Sequence, residues 1–394
     1  MSTKDIPPLT PPSIHLPEQG EICLLQAIDT TCNLTCPSAT LVEPVIPGHE
    51  LLNLPTVSFL ITHSKSGEQV LFDLGCRKDW WNLPGPIAKS IDEKVAGIKV
   101  DRELSDILTD GGVDLGKIKV AILSHHHYDH MGNPALYPRS MDLVVGPGFS
   151  AEFLPGYPTA EASPVFEDAF KGRNVVEVAF DNGLTVGGYQ AHDYFGDGSL
   201  YILNTPGHAV GHLSALVRTA EQRFAFLGGD ICHFGGSFRP TKDVPMPSSL
   251  NGEEAGFRDR GPAVCPCTLF TACHPDPDNA RTSPYYRPQS GPESWYMDPP
   301  LAAQSISKLS DLDADERVLA LIAHDPALFG TIPFFPEGNV NDWHTSGWKD
   351  KLRWQFLSEL PVEDKPQNIL VPGTYIGGKR VKNLDGTKVN GATS

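Results

Sequence analysis

The sequence predicts an α/β protein, on three observations. Apolar stretches of strand length alternate with a helix-patterned segment in the first third of the chain. A series of further short apolar strands follows it. Several strands end in a glycine or proline turn followed directly by an imidazole or a carboxylate, most densely at Ser124-His-His-His-Tyr-Asp-His-Met-Gly-Asn133.

Taken in order, residues 1–20 are rich in proline and polar side chains and are expected to form an extended arm, leaving 21–394 as a single domain. Val57–Thr62 and Gln69–Phe72 flank a polar, glycine-containing turn at Ser64–Gly67, the pattern of a β-hairpin. Beyond them, Leu104, Ile107 and Leu108 fall on one helical face, with Asp101 as the expected N-cap and Gly111-Gly112 as the stop. Strands are then expected at Val120–Leu123, Leu143–Val145, Asn174–Phe180, Leu200–Leu203, Leu213–Val217, Phe224–Leu227 and Val318–Ala323, with Asp193–Ser199 as a hairpin turn. The stretch at about 234–300 breaks this rhythm: it is rich in Pro, Gly, Ser and Asp and has no sustained period. So long a loop is uncommon in a compact domain and usually functional, such as a cover over a site. A segment at about 332–357 carries Phe334, Phe335, Trp343, Trp348, Trp354 and Phe356, expected in the core, with a cover over the site or a homodimer contact as alternatives.

Composition removes several function classes. The formal net charge of −17 argues against a nucleic-acid partner, because that affinity rests on Lys and Arg neutralising phosphates, and it offers little to anionic lipid. No apolar stretch approaches the ~20 residues of a membrane span. Eight cysteines, with no secretory-type apolar segment at the start of the sequence, read as reduced thiols of a cytoplasmic protein. The expected partner is a small molecule.

The densest chemistry is His125-x-His127-x-Asp129-His130. Two residues apart in extended backbone, His125 and His127 project to the same side, and the following turn lets Asp129 and His130 face a shared point from another. Imidazole and carboxylate are the ligands that borderline divalent metals such as zinc prefer. Four histidines in six residues, against 14 in all 394, is a large local excess. A catalytic metal site also draws ligands from distant segments, and three later strands end in candidates: Pro206-Gly-His208, Gly228-Gly-Asp230 and His324.

This ordered set resembles the metallo-β-lactamase superfamily, as does the earlier strand end Phe72-Asp73-Leu-Gly75. The likeness runs from about residue 55 to about 330. It implies a four-layer αββα sandwich of two mixed β-sheets flanked by helices, with a dinuclear metal site at one edge. His125, His127 and His208 would hold the first metal and Asp129, His130 and His324 the second, with Asp230 bridging and Asp73 supporting without ligating. Two zinc ions per chain are implied, with iron or manganese as substitutes. They would share a hydroxide that attacks a carbonyl carbon, with Asp129 passing a proton to the leaving heteroatom.

The lactonase-like branch is nearest, including fungal members that open lactams or cyclic carbamates of the benzoxazolinone type. Lactonases of that branch carry a tyrosine three residues after the bridging aspartate. This chain has His233 there, which points away from a homoserine lactone and makes His233 a second catalytic candidate. Glyoxalase II-like thioester hydrolysis and mononuclear-iron persulfide dioxygenation are the competing readings.

The remaining features have plainer readings. Cys265, Cys267, Cys273 and His274 read as free groups within the insertion rather than a zinc knot. His212 reads as a turn support. Trp80, Trp81, Phe153, Tyr157, Tyr194 and Phe234 are candidates to line an apolar pocket, although packing is the better expectation for each one singly.

Overall fold

The computed structural model describes residues 4–10, 13–257, 264–362 and 367–389. Strand Ile118–Ile122 shows in miniature how the sequence makes the layers. From Val120 to Leu123, one residue past its end, the run is apolar without alternation, as expected where both faces are covered. Val120 and Ile122 point into a cluster shared with the second sheet, whereas Ala121 and Leu123 point into one shared with outer helices. The same division repeats along neighbouring strands. Phe59 and Ile61 face the other sheet and Leu60 faces outward; Phe72 faces the other sheet and Leu71 faces outward.

Two sheets result. The larger runs, edge to edge, Lys379–Asn383, Gly373–Ile376, Gly97–Val100, Cys23–Pro37, Leu51–His63, Gln69–Phe72, Ile118–Ile122, Asp142–Val145 and Val175–Glu177. It is mixed: the four strands from Gln69–Phe72 to Val175–Glu177 are parallel, and Cys23–Pro37 and Leu51–His63 are antiparallel. The smaller sheet orders Val318–Leu321, Arg223–Leu227, Leu213–Ala220, Leu200–Asn204, Tyr189–Asp193 and Thr185–Val186. Within it Arg223–Leu227 pairs in parallel with Val318–Leu321 across the intervening helix Pro299–Ala314.

Their facing sides bury Leu25, Val57, Phe59 and Ile122 against Ile202, Ala215, Val217 and Leu227. Outside the larger sheet, Leu104 and Leu108 of the Leu104–Asp110 helix and Phe149 and Phe153 of the Phe149–Phe153 helix cover Leu71, Leu123 and Val145. Outside the smaller one, Ile306, Leu309 and Leu312 cover Leu216, Phe226 and Val318. Four layers, helix–sheet–sheet–helix, are therefore present, as the resemblance implies.

A further apolar cluster sits at one end of the sandwich. There Phe234, Met246, Phe270 and Tyr285 of the insertion, with Trp354 and Phe356 of the aromatic segment, pack onto Leu34, Leu54 and Ile98 of the larger sheet. Trp343 is buried between the sheets, so this segment is largely core. At the other end of the chain, residues 13–20 form no helix or strand. The buried Arg218 guanidinium donates to Pro17 O, Gln19 O and Gly198 O, tying the arm to the smaller sheet.

Several elements differ from the sequence reading. The helix runs Leu104–Asp110 with Glu103, not Asp101, at its N-cap position; the Asp101 carboxylate instead accepts from Lys99 Nζ. The strand at Asn174–Phe180 shortens to Val175–Glu177, because it lies at the sheet edge and pairs only with Asp142–Val145. The 15-residue strand Cys23–Pro37 had no legible pattern: its register shifts between Asp29 and Asn33, where Thr31 adopts φ +59°, so the alternation breaks midway. Helix Pro299–Ala314 begins inside the expected loop. Two prolines occupy its first turn, where no intrahelical N–H is needed, and Asp298 caps it by accepting from Leu301 N.

Candidate metal centre

The site forms where strands of both sheets run out at one edge of the sandwich. At the end of Ile118–Ile122, Ser124 N and Oγ donate to the two oxygens of Asp73, at 2.7 and 2.8 Å. Asp73 follows strand Gln69–Phe72 and adopts φ +62°, a conformation costly for a residue with a Cβ. That turn aims its buried carboxylate at His130 Nδ1, 2.7 Å away. His127 is still extended, so His125 and His127 project together; the short helix Tyr128–Met131 then turns Asp129 and His130 inward.

Of the other three side chains, His208 and Asp230 arrive on turns that glycines make possible, and His324 just after a strand. Gly207 has φ +130° and lies so close to the Pro299–Ala314 helix that a Cβ would come within 2.2 Å of Ala302 N. Gly229 has φ +54°, and a Cβ there would press on Ser124 and on His212 Nε2. His212 Nε2 accepts from Asp230 N at 3.0 Å, while Nδ1 donates toward Thr205 O at 2.9 Å. His212 is thus a turn support for the Asp230 loop. His324 follows Val318–Leu321, and its Nδ1 donates to Pro55 O at 3.1 Å.

These turns bring all seven sequence-predicted side chains together. His125, His127, His208 and Asp230 form one group of ligand atoms within 4.8 Å of each other, and Asp129, His130 and His324 form another. Asp230 lies between them. Its Oδ2 faces His208 Nε2 at 3.3 Å and His125 Nε2 at 3.6 Å, and its Oδ1 faces His130 Nε2 at 2.9 Å and His324 Nε2 at 3.1 Å. Asp129 Oδ2 is 3.5 Å from His324 Nε2 and 3.9 Å from His130 Nε2.

The site's electrostatics depart far from those in water. Burial holds the His125 and His127 imidazoles well below their usual range, and His208 falls to about 3. Burial alone would raise the Asp230 carboxyl, but His130, His324 and His233 outweigh it and hold it well below the ordinary carboxylate range. Burial raises Asp129. Close as they stand to the opposing groups just described, the buried atoms His125 Nε2, His130 Nε2 and Asp230 Oδ1 make no hydrogen bond of good geometry among the described residues. Orphaned, converging imidazole nitrogens and carboxylate oxygens are costly unless they ligate a cation, so the residues present fit a metal pair.

Comparison with known proteins agrees with this geometry. Residues 52–228 match the family model of the metallo-β-lactamase superfamily. The γ-lactamase FDB1 of Fusarium pseudograminearum is 40% identical over 364 residues, which cover 90% of this chain and 86% of that protein. The chain belongs to the metallo-β-lactamase superfamily. Metallo-hydrolase mfmC of Annulohypoxylon moriforme is 36% identical over 366 residues, covering 91% of this chain and 93% of that one. The solved structure of a quorum-quenching N-acyl homoserine lactone hydrolase shares the fold, with a TM-score of 0.51 at 18% identity over 82% of this chain and 99% of that one. This chain is accordingly a metal-dependent hydrolase of the superfamily, in its lactonase-like branch.

Beside the metallo-β-lactamase ligand set lies a cavity of about 260 Å³. Its walls are Leu34 and Leu54 of the larger sheet, Ile87 and Ile91 of the helix Gly85–Lys94, Tyr128 and Trp295, with Asp129, His208 and His233 at its floor. The aromatic candidates from the sequence are elsewhere. Trp80 is buried under the larger sheet, Phe153 stacks on His126 at 4.1 Å, and Tyr194 packs between the sheets. Tyr157 stacks edge-on against Phe166, Trp81 packs against Trp80, and Phe234 lines a different cavity behind His324. Leu34 and Ile87 went unnoticed because neither the first long strand nor the Gly85–Lys94 helix was legible. Trp295 lies in the insertion and carried no periodic signal. In the insertion, Cys273 Sγ donates to Phe270 O and His274 Nε2 donates to Ser283 O.

His233 sits beside the metal groups. Its Nε2 is 3.1 Å from Asp230 Oδ2, its ring stacks on His324 with centroids 5.6 Å apart, and its Nδ1 is 3.0 Å from Tyr296 Oη.

Proposed function

We propose that this chain opens a small cyclic amide or ester, with two zinc ions held by His125, His127, His208 and Asp230 on one side and Asp129, His130, His324 and Asp230 on the other. The observation that carries this reading is the place of Asp230, one oxygen turned to each group of ligand atoms. A metal pair in such a cage supplies Lewis acidity toward a carbonyl oxygen and a water acidified from a pKa of 15.7 towards ~7.

The chain's own residues do the rest. Asp73 and Pro55 O accept from the outer nitrogens of His130 and His324, which fixes both rings with Nε2 facing inward. Asp129 lines the cavity, and a carboxylate that ligates through one oxygen has the other left to pass a proton to the departing nitrogen or oxygen. His233 opens onto the same cavity.

The ring is read as a lactam first, with a cyclic carbamate of the benzoxazolinone type and a lactone next. Two fungal relatives, FDB1 at 40% identity and MBL2 of Gibberella moniliformis at 42%, are named γ-lactamases. The cavity is small and mostly apolar, which suits a flat ring of one or two cycles better than a long acyl chain. A xenobiotic of plant or microbial origin met in the cytoplasm fits this description. Thioester hydrolysis of the glyoxalase kind would need a basic patch near the C-terminal region, yet Lys349 is buried with Nζ donating to Asp313 O, Asp315 O and Val318 O.

The test is a pH-indicator assay of the zinc-loaded protein against γ-lactams, benzoxazolinone-type carbamates, lactones and thioesters. Turnover of a lactam or carbamate, with lactones slower and thioesters inert, is expected. Thioester turnover alone, or sulfite production from persulfide by an iron-loaded form, would overturn the reading.

A further inference from the structure

The helix Gly85–Lys94 turns one face to the cavity beside the metal-binding groups. Ile87, Ser90, Ile91 and Lys94 all line it, and steps of three, four and seven residues from Ile87 make a single helical stripe. A stripe that only closed an apolar wall would be apolar along its length. Ile87 and Ile91 fit that purpose. Ser90 and Lys94, one turn apart, do not.

The carboxylates nearest in sequence do not answer the charge of Lys94. Glu93 stands 3.8 Å from Lys89 Nζ, and Asp92 Oδ1 accepts from Lys382 Nζ at 2.8 Å, so both acids of the helix are engaged elsewhere. Among the described residues, the Lys94 ammonium makes no ion pair and the Ser90 hydroxyl no hydrogen bond. Lys94 is also the one lysine or arginine among the described residues that line the cavity. A cation in the last turn of a helix is favourable on any side of it. The helix dipole therefore does not explain why this one stands on the cavity stripe beside a hydroxyl.

The element packed against this helix adds charge of the same sign. In a chain of formal net charge −17, residues 373–389 carry Lys379, Arg380, Lys382 and Lys388 against a single acid, Asp385. They include the hairpin of Gly373–Ile376 and Lys379–Asn383, which Lys382 fastens to the helix through Asp92. Lys379, Arg380 and Lys388 make no ion pair among the described residues. The wall that holds Lys94 is thus flanked by spare cations on an otherwise acidic molecule. Such a local field concentrates a small anion at one place and repels it elsewhere.

An ammonium and a hydroxyl one turn apart suit a carboxylate, which offers two acceptor oxygens to two donors. The carbonyl to be opened belongs at the metal-binding floor, so this second acceptor is another part of the same small molecule. Leu34, Leu54 and Trp295 line the space for its apolar body. We infer that the ring this chain opens carries an ionised carboxylate away from its scissile bond, received by Lys94 and Ser90 while the scissile carbonyl meets the floor. The inference rests on the proposed hydrolase reading for the ring, but not for the anion site itself. It selects acid-bearing lactams, carbamates or lactones over neutral ones of the same size.

The experiment uses oxindole, a flat γ-lactam fused to a benzene ring. The probes are oxindole with a carboxylate at each free position of the benzene ring in turn, the methyl ester of each acid, and oxindole itself. Binding to the zinc-loaded full chain is measured by calorimetry at low salt, and turnover by product formation. The best acid is expected to bind about 10-fold more tightly than its own ester, the scale of a charge-assisted hydrogen bond at a partly open site. That preference should shrink in about 0.5 M salt, where exposed charges are screened. Lys94→Met, which keeps most of the stem, should bring the acid down to the affinity of its ester, with any loss in turnover falling on KM rather than kcat. Lys94→Arg should keep most of the preference, and Ser90→Ala should lose about 3-fold of it, one neutral donor fewer. If no acid binds more tightly than its ester, or if the preference survives in a folded Lys94→Met protein, the inference is overturned. Binding is read apart from turnover. A tightly held acid that is never opened would count against the proposed function and leave the anion site standing, whereas turnover of lactams with no preference for an acid would do the reverse.

Discussion

At the scale of single residues, the candidate ligands were legible and the cavity walls beside them were not: Leu34, Ile87 and Trp295 line the cavity, and the six aromatic candidates do not. The seven proposed ligands could be named because a metal cage demands imidazoles and carboxylates at turns, and such turns leave glycine and proline beside them. Gly207 and Gly229 are the physical form of that signal: neither position admits a Cβ without pressing on neighbouring atoms. The proposed roles differ enough to separate by mutation. His125 has its Nε2 unpartnered and buried, so His125→Ala should shed metal and lose turnover together. Asp129 contributes one of several oxygens and is the proposed proton donor, so Asp129→Asn should fold normally and lose activity by a larger factor than metal. Assays of kcat beside metal content and thermal unfolding check both. Full metal and rate in His125→Ala would refute its place in the cage.

At the scale of elements, strands with clean apolar runs were readable and those with interrupted patterns were not. Leu200–Asn204, Leu213–Ala220 and Arg223–Leu227 fall where they were expected, because both their faces are buried and the run is continuous. Cys23–Pro37 hid behind its bulge, and Pro299–Ala314 behind its two leading prolines. The packing of the insertion supplies a prediction at this scale. His49, in the connection between two strands of the larger sheet, is buried. Its Nδ1 lies 2.6 Å from Tyr286 Oη, and its ring stands 4.9 Å from Phe234. Burial lowers its pKa from 6.5 to about 4, against a small opposing effect of Glu50. Between those values the unfolded chain binds a proton that the folded chain refuses. His49 therefore contributes stability that is fully present above pH 6.5 and falls by about 1.4 kcal/mol per pH unit on acidification toward pH 4. Urea unfolding of wild type and His49→Gln at pH 7, 6 and 5 should show the stability gap between them narrowing as pH falls. A constant gap would mean that His49 titrates alike in both states.

At the scale of the whole molecule, the architecture explains why the site lies at one end. Strands of two sheets run out at the same edge, each sheet delivers ligands on its loops, and the insertion with the aromatic segment closes that edge with an apolar cluster. The two layers of strands were implied by the resemblance rather than by periodicity, since a buried run shows its burial but not its neighbour. The rigid scaffold holds Asp230 between imidazoles from both sheets, and on that single placement the account of a two-metal hydrolase depends. The most direct test is the metal content of the purified chain by plasma mass spectrometry after exhaustive dialysis. The account predicts two divalent ions per chain, falling on replacement of Asp230 by alanine. One ion per chain in the wild type, or none retained, would contradict it.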